Sequence, residues 1–210
     1  MTQRELIEFL TLVEPLKHRL RHAWGADGRQ ESVAEHSWRL CLAAELLREE
    51  FPDTDMNKVI AMGLVHDFGE AITGDIPSFY KTEAHEQEEE KAVESLLAKL
   101  PPAVRSRFSN LFAEMKELST PEAKLWKALD NLEAVLTHNE APLSSWIELE
   151  YTENIRYGEE NVAFSPWMQA LKAELNADSR KKIVEEKTRK LSLDIRKNEE
   201  YNTLITDIGD

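Results

Sequence analysis

At residues 59–70 the chain reads VIAMGLVHDFGE, an apolar run that ends in the adjacent pair His66 and Asp67. A charged pair at the end of an apolar segment costs free energy unless it is coordinated or exposed at a cleft. Glu70 follows three residues later. Nitrogen and oxygen ligands beside a spare carboxylate indicate a site for a divalent metal.

Two residues outside this stretch complete a candidate ligand set. His36 lies one turn into a helix that Ser32 and Glu35 are expected to begin as a capping box. Asp130 lies between leucines, in a helix that a Thr-Pro pair at residues 120–121 is expected to begin. Its burial would carry the same cost as that of the His-Asp pair. The expected metal ligands are His36, His66, Asp67 and Asp130.

The spacing of apolar residues predicts an all-α fold. They recur mostly at three- and four-residue intervals, and the 210 residues include 7 glycines. The expected helices cover residues 3–22, 33 onward, 56–67, 83–100, 104–118, 121–139, 166 onward and 180–201. Residues 68–80 are expected to form a loop, with Gly69 ending the helix before it. We expect one domain over residues 1–175, with a charged helical extension at 176–210 packed on it.

Composition excludes several classes of function. With 26 basic and 40 acidic side chains, the net charge of -14 disfavours binding of a nucleic-acid polymer. Cys41 is the single cysteine, so there is neither an internal disulfide nor a cysteine metal cluster. The sequence has no apolar run of membrane-spanning length, so we expect a soluble cytoplasmic protein. The aromatic stretch 146–157 and the amphipathic tail are compatible with a homodimer.

The remaining histidines have simpler interpretations. His18 and His22 are four residues apart, but the arginines beside them oppose a cation, and we expect both side chains to be solvated. His85 lies among glutamates and is expected on an exposed helix face. His138 is near a helix C-terminus, where it would interact favourably with the helix dipole.

The ligand set resembles the H…HD…D signature of the HD-domain metal-dependent phosphohydrolases. The surrounding sequence is similar to the branch that contains 5'-deoxynucleotidases. The similar blocks are RHAW at 21–24, ESVAEHS at 31–37, HDFGE at 66–70 and ALDNLE at 128–133. This resemblance implies a single HD-domain helical bundle. It also implies one metal, because members with two metals have two more histidines before the final aspartate, where this chain has only His85.

The resemblance also implies roles for residues around the metal. Glu70 is the expected catalytic carboxylate, which orients water or exchanges a proton with the leaving group. Arg21 would bind a phosphate through two hydrogen bonds, and Trp24 would stack on a base or line the sugar pocket. Asp75 would accept a hydrogen bond from the sugar 3'-hydroxyl, which favours deoxyribose. Structural alternatives are a surface carboxylate for Glu70, a helix-end charge for Arg21, a core anchor for Trp24 and a turn residue for Asp75.

The expected function is removal of the 5'-phosphate from nucleoside monophosphates, with a small nucleotide as substrate. His and Asp ligands suit Mn, Co, Fe, Ni, Mg and Zn, so the sequence leaves the metal open. One alternative is hydrolysis of another phosphorylated small molecule, including nucleoside di- or triphosphates. That activity needs more positive charge than Arg21 supplies, for which Arg19, Arg29 and Arg39 are candidates. The other alternative is a metal or nucleotide sensor without catalysis.

Overall fold

The computed structural model describes the backbone of residues 1–208 and the side chains of residues 1–189 and 192. Its α-helices are α1 (Gln3–Val13), α2 (Val33–Leu46), α3 (Met56–Val65), α4 (Glu70–Thr73), α5 (Glu83–Leu97), α6 (Pro102–Glu117), α7 (Pro121–Glu140), α8 (Glu150–Arg156) and α9 (Pro166–Ile208). Two short antiparallel strands are β1 (Leu20–Trp24) and β2 (Gln30–Ser32). The prediction of an all-α fold is confirmed, with this hairpin as its one addition in the described part of the chain.

The hairpin overturns the predicted helix at residues 3–22. Helix α1 ends at Val13, and a short 3₁₀ turn follows at Glu14–Lys17, because Pro15 has no amide hydrogen to continue the α-helix. The pairing of Leu20 with Ser32 and of Trp24 with Gln30 leaves an irregular register between them. Such an irregularity disturbs the alternation of side chains along a strand.

The predicted starts of α2, α3 and α7 are confirmed. Ser32 accepts a hydrogen bond from the Glu35 amide, and the Glu35 side chain accepts one from the Ser32 amide. Asp55 accepts from two amides in the first turn of α3, and Thr120 accepts from the Ala123 amide in α7. Each cap satisfies amides that have no partner within the helix. These bonds set where α2, α3 and α7 begin, and therefore where the expected metal ligands lie along them.

The segment after α3 corrects the prediction for Gly69. Gly69 precedes α4 and has an ordinary helical φ of -55°. Gly74 ends α4 with a φ of 76°, a conformation that favours glycine. Gly69 allows a close approach instead, because a Cβ there would lie 2.7 Å from Cγ of Glu89. The predicted loop at 68–80 therefore contains α4, held closely against α5.

Helix α7 lies at the centre of the fold and contacts α2, α3, α6, α9 and β1. Its side chains at Leu125, Ala128 and Val135 are at most 1% exposed. Full burial of a leucine or valine side chain contributes about 1.5–3 kcal/mol each. This packing holds the neighbours of α7 in a defined orientation around it. No helix within residues 1–208 has the length and apolar character to cross a bilayer.

Helix α9 is continuous from Pro166 to Ile208, where the sequence predicts two helices separated before residue 180. No proline or glycine interrupts this stretch. Ser179 donates to the side chain of Asn139 over 2.7 Å, and Lys182 donates to its carbonyl oxygen over 2.7 Å. The helix thus contacts α7 beyond residue 175. The division at residues 175 and 176 stays a prediction.

Candidate functional site

The four expected metal ligands converge at one point between α2, α7 and the end of α3. Nε2 of His36 lies 3.1 Å from Oδ1 of Asp130. Nε2 of His66 lies 3.3 Å from Nε2 of His36, 2.9 Å from Oδ2 of Asp67 and 3.6 Å from Oδ1 of Asp130. His36 and His66 come from helices that pack directly against each other and against α7.

Hydrogen bonds direct both imidazole rings toward this point. Nδ1 of His66 lies 2.9 Å from the carbonyl oxygen of Gly63, which can only accept, so Nδ1 carries the proton. Nδ1 of His36 faces the Glu133 carboxylate in the same way. In its neutral form, which metal binding requires, each ring therefore turns the lone pair of Nε2 toward the two aspartates. Adjacent ligands of one metal lie about 3 Å apart when each bond is about 2.1 Å long, so this donor set fits a divalent cation.

The charges of the cluster also favour a cation. Burial alone would lower the pKa of His66, but the Asp67 and Asp130 carboxylates raise it to about 10. Burial opposes ionisation of Asp130, yet Lys127 and the two histidines hold its pKa well below the usual range. Nζ of Lys127 donates to Oδ2 of Asp130 over 2.8 Å, which leaves Oδ1 facing the imidazoles. Two ionised carboxylates beside two histidines thus create a preference for positive charge.

Glu133 is a buried carboxylate beside the cluster for which the sequence predicted no role. It is 5% exposed and accepts from Nδ1 of His36, from Nε of Arg39 over 2.7 Å and from the hydroxyl of Thr137 over 2.9 Å. A carboxylate bonded to the far nitrogen of a ligating histidine fixes its tautomer and orientation. The available signal was its position three residues after Asp130, on the same face of α7.

We expect Glu133→Gln to weaken metal binding by about 10- to 100-fold, because the amide orients His36 less strongly than the carboxylate. The matched control is Glu140→Gln, since Glu140 also accepts from Arg39, over 2.6 Å, but is remote from His36. Competition with a chelator measures the dissociation constant. Equal affinity in both variants would show that Glu133 does not act on the metal site.

Glu70 and Asp75 both line a cavity of about 620 Å³, which also includes His66, Asp67 and Asp130 of the His-Asp cluster. Glu70 is 6% exposed, and its Oε2 has no hydrogen-bond partner among the described residues. Burial and the charges of Asp67 and Asp75 raise the pKa of Glu70 to about 9. Burial likewise raises the pKa of Asp75. Glu70 therefore places a carboxyl group that can carry a proton near the His-Asp cluster.

Arg21 lies in the same cavity, whereas Trp24 is not among the residues that line it. Nη1 of Arg21 lies 3.0 Å from Glu31 and 3.4 Å from Glu133, so two carboxylates position the guanidinium. Trp24 packs edge-on against His22, with ring centroids 4.8 Å apart. Trp24 thus contacts a residue that lines the cavity.

The far part of the cavity contains residues for which the sequence predicted no role in the site. They include His22, Phe79, His138, Glu150, Asn154 and Tyr157. The prediction that His22 is solvated is wrong, because its side chain is 26% exposed and faces Glu150. The strand irregularity at residues 20–24 lets adjacent Arg21 and His22 both reach the cavity. Two lysines, Lys81 and Lys127, also line it.

Comparisons with known proteins agree with this geometry. The HD domain family model matches residues 13–172. The chain is 34% identical over 142 residues to 5'-deoxynucleotidase HDDC2 of Homo sapiens, covering 65% of this chain and 68% of the relative. It is 32% identical over 139 residues to 5'-deoxynucleotidase hdd1 of Schizosaccharomyces pombe, covering 62% and 69%.

Solved structures show the same fold. One is a protein from Magnetospirillum magnetotacticum MS-1 that is described as a predicted metal-dependent phosphohydrolase. The two structures have a TM-score of 0.71 and 26% sequence identity, and the match covers 85% of this chain and 93% of that one. The PH0347 protein from Pyrococcus horikoshii OT3 has a TM-score of 0.64 and 29% identity over 82% and 99%. With the family model matching most of its length and the ligand cluster assembled, the chain belongs to the HD-domain family and is a metal-dependent hydrolase.

Proposed function

We propose that this enzyme removes the 5'-phosphate from nucleoside monophosphates, with deoxyribonucleotides favoured. The observation that carries the proposal is the cavity that extends from the His-Asp cluster past Arg21 and Asp75 to a partly aromatic end. A phosphate at the cluster leaves room beyond it for a sugar and a base. The relatives named 5'-deoxynucleotidase support this substrate class.

We propose His36, His66, Asp67 and Asp130 as the ligands of one divalent metal. When bound, such a cation polarises a phosphoryl group and lowers the pKa of a coordinated water. The ligand chemistry is compatible with Mn, Co, Fe, Ni, Mg and Zn. Because metal-binding histidines must be deprotonated, the cation would displace the proton that the two carboxylates favour on His66.

Glu70 is the proposed proton-transfer residue. Its carboxyl group lies at the cavity wall without a hydrogen-bond partner for Oε2 in the described structure, so that atom is available to a water or a leaving oxygen. A pKa raised toward neutrality or beyond lets a carboxyl group donate and recover a proton in one catalytic cycle. The geometry is therefore suited to protonation of the nucleoside 5'-oxygen as the phosphate leaves.

Arg21 and Asp75 are the proposed substrate-binding residues. The guanidinium of Arg21 binds the phosphate oxygens, and the carboxylates of Glu31 and Glu133 hold it in position. Asp75 accepts from the 3'-hydroxyl and crowds a 2'-hydroxyl, which gives the deoxyribose preference. Trp24 contributes by packing on His22 rather than by stacking on the base.

The charges along the cavity favour monophosphates over polyphosphates. Arg19 donates to carbonyl oxygens of α4, Arg29 pairs with Glu35, and Arg39 pairs with Glu133 and Glu140. None of these three arginines is among the residues that line the cavity in the described structure. Lys81 and Lys127 do line it, but each is paired with an acidic side chain. Little positive charge is therefore left for a second or third phosphate.

Phosphate release from matched ribo- and deoxyribonucleoside mono-, di- and triphosphates tests the proposal. Each candidate metal is added in turn to protein stripped with a chelator. We expect release from monophosphates, faster for the deoxy member of each pair. Release confined to di- or triphosphates would contradict the proposed substrate class. Nucleotide binding without turnover, by the wild type and by Glu70→Gln alike, would instead favour the sensor.

The cytoplasmic location and the homodimer stay predictions. Within the aromatic stretch, Trp146 is 8% exposed and donates from Nε1 to the carbonyl oxygen of His138. The Trp146 side chain is therefore packed and hydrogen-bonded within the subunit. Large exposed apolar side chains lie instead along one side of α2, at Trp38, Leu42 and Leu46.

A further inference from the structure

The cavity follows one face of α7 away from the His-Asp cluster. Asp130, Ala134 and His138 are four residues apart in turn, and all three line the cavity. Positions four apart lie on the same face of a helix, so the eight residues from Asp130 to His138 span about 12 Å. A nucleotide with its phosphate at Asp130 therefore places its sugar and then its base toward His138.

A buried carboxylate without a hydrogen bond on one oxygen lies at this far end. Glu150 is 2% exposed, and its Oε2 accepts from the amide of Ile147 over 2.8 Å. Its Oε1 lies 3.2 Å from Nε2 of His22 and 3.7 Å from Nδ1 of His138, but it forms a hydrogen bond with neither in the described structure. Each carboxylate oxygen has two lone pairs, and desolvating them unpaired is unfavourable. Oε1 is thus a buried acceptor without a hydrogen bond, in a residue that lines the cavity.

Asn154 supplies a second acceptor one turn along α8. Nε2 of His138 lies 3.2 Å from the carbonyl oxygen of His22, which requires the proton on Nε2. Burial lowers the pKa of His138, so Nδ1 of the neutral ring has no proton and is itself an acceptor. Nδ1 of His138 lies 3.1 Å from Oδ1 of Asn154, which would be a contact between two acceptors. Rotating the Asn154 amide by 180° places Nδ2 there instead, so that Nδ2 donates to Nδ1 of His138. The amide oxygen then takes the place of Nδ2, which has no partner among the described residues.

An aromatic wall adjoins these two acceptors. The rings of His22 and Phe79 both line the cavity, and they meet edge to face with centroids 5.8 Å apart. A planar nucleobase can pack on such a wall with its polar edge toward Glu150 and Asn154. An exocyclic amino group has two N–H bonds and can donate to both oxygens. A keto oxygen at the same position would face two acceptors and bond to neither.

We propose that Glu150 and Asn154 bind the exocyclic amino group of the nucleobase, so that the enzyme favours cytosine over uracil and adenine over hypoxanthine. The inference rests on the proposed function, because it assigns the base of the same substrate. Buried polar groups that lose their partner discriminate strongly between related substrates. Acidic side chains recognise the amino group of cytosine by the same donor and acceptor pairing.

The test compares kcat/KM for dCMP with dUMP, and for dAMP with dIMP. Within each pair an amino group is replaced by a keto group at the same ring position, and the adjacent ring nitrogen changes from an acceptor to an N–H donor. We expect the amino member to be favoured by about 10- to 100-fold. The ratio within one enzyme preparation is independent of the fraction of active protein, so incomplete folding of a variant does not alter it.

Glu150→Gln is the informative variant. The amide can keep an oxygen on the Ile147 amide while its NH₂ group replaces Oε1 as a donor toward the base. We expect the preference to fall to about one or to invert toward the keto member. The matched control is Glu148→Gln, which removes the same charge from an exposed position outside the cavity and should leave both ratios unchanged.

The outcomes separate the inference from the proposed function. Similar turnover of both members of each pair by the wild type would overturn base recognition and leave the monophosphatase intact. A wild-type preference that Glu150→Gln does not change would also overturn it, because the preference would then arise elsewhere. Absence of turnover for every monophosphate would overturn both.

Discussion

Turnover of the Asp67→Ala variant is expected to fall by at least about 10³-fold at any concentration of added metal. The aspartate oxygen 2.9 Å from Nε2 of His66 is lost, and with it one of the four donors. A metal contributes several kcal/mol of transition-state stabilisation, and each 1.36 kcal/mol changes the rate tenfold. Phosphate release with the metal titrated over several decades measures the effect.

The fold should survive this substitution. Asp67 lies just beyond the end of α3, and the loss of its contact with His66 is offset by relief of repulsion with Glu70 and Glu89. Circular dichroism and thermal unfolding of the wild type, of Asp67→Ala and of Asp53→Ala provide the comparison, since Asp53 is exposed on a remote turn. Undiminished turnover in Asp67→Ala would remove Asp67 from the metal site.

Glu70→Gln is expected to lower kcat by about 10²- to 10⁴-fold, the usual contribution of a positioned acid or base. The amide has nearly the same shape as the carboxyl group but cannot exchange the proton. The apparent affinity for metal and KM should change little, because the cluster of two histidines and two aspartates is intact. Steady-state kinetics at saturating metal, together with chelator competition, separate these quantities.

Glu86→Gln is the matched control for this loss. Glu86 also lines the cavity but is exposed at its rim, so it reports the effect of removing one negative charge near the substrate. Its kcat should stay within about threefold of wild type, because exposed charges are well screened. A Glu70→Gln enzyme with unchanged kcat would exclude proton transfer by Glu70. Parallel losses of kcat and metal affinity would identify Glu70 as an additional ligand.

Local sequence determined the helices and the residues that meet at the cluster. The caps at Ser32, Asp55 and Thr120 depend on bonds between residues two or three positions apart, and such bonds can be read from short segments. A histidine and an aspartate at the end of an apolar helix carry a desolvation cost that is visible in one chain segment. The sequence did not predict the hairpin, because β1 forms only through pairing with β2. The first residues of β1 also continue the apolar spacing that predicted a helix at 3–22.

Only the tertiary structure decided what supports the cluster and what lies at the other end of the cavity. Glu133 acts on His36 across 97 positions of the chain, and Glu150 meets His22 from a segment without a readable pattern. Such contacts depend on how helices pack around α7, which the periodicity of each helix alone does not specify. The sequence by itself therefore determined which chemistry is present, and the packing decided how its charges are oriented and which atoms remain free for a substrate.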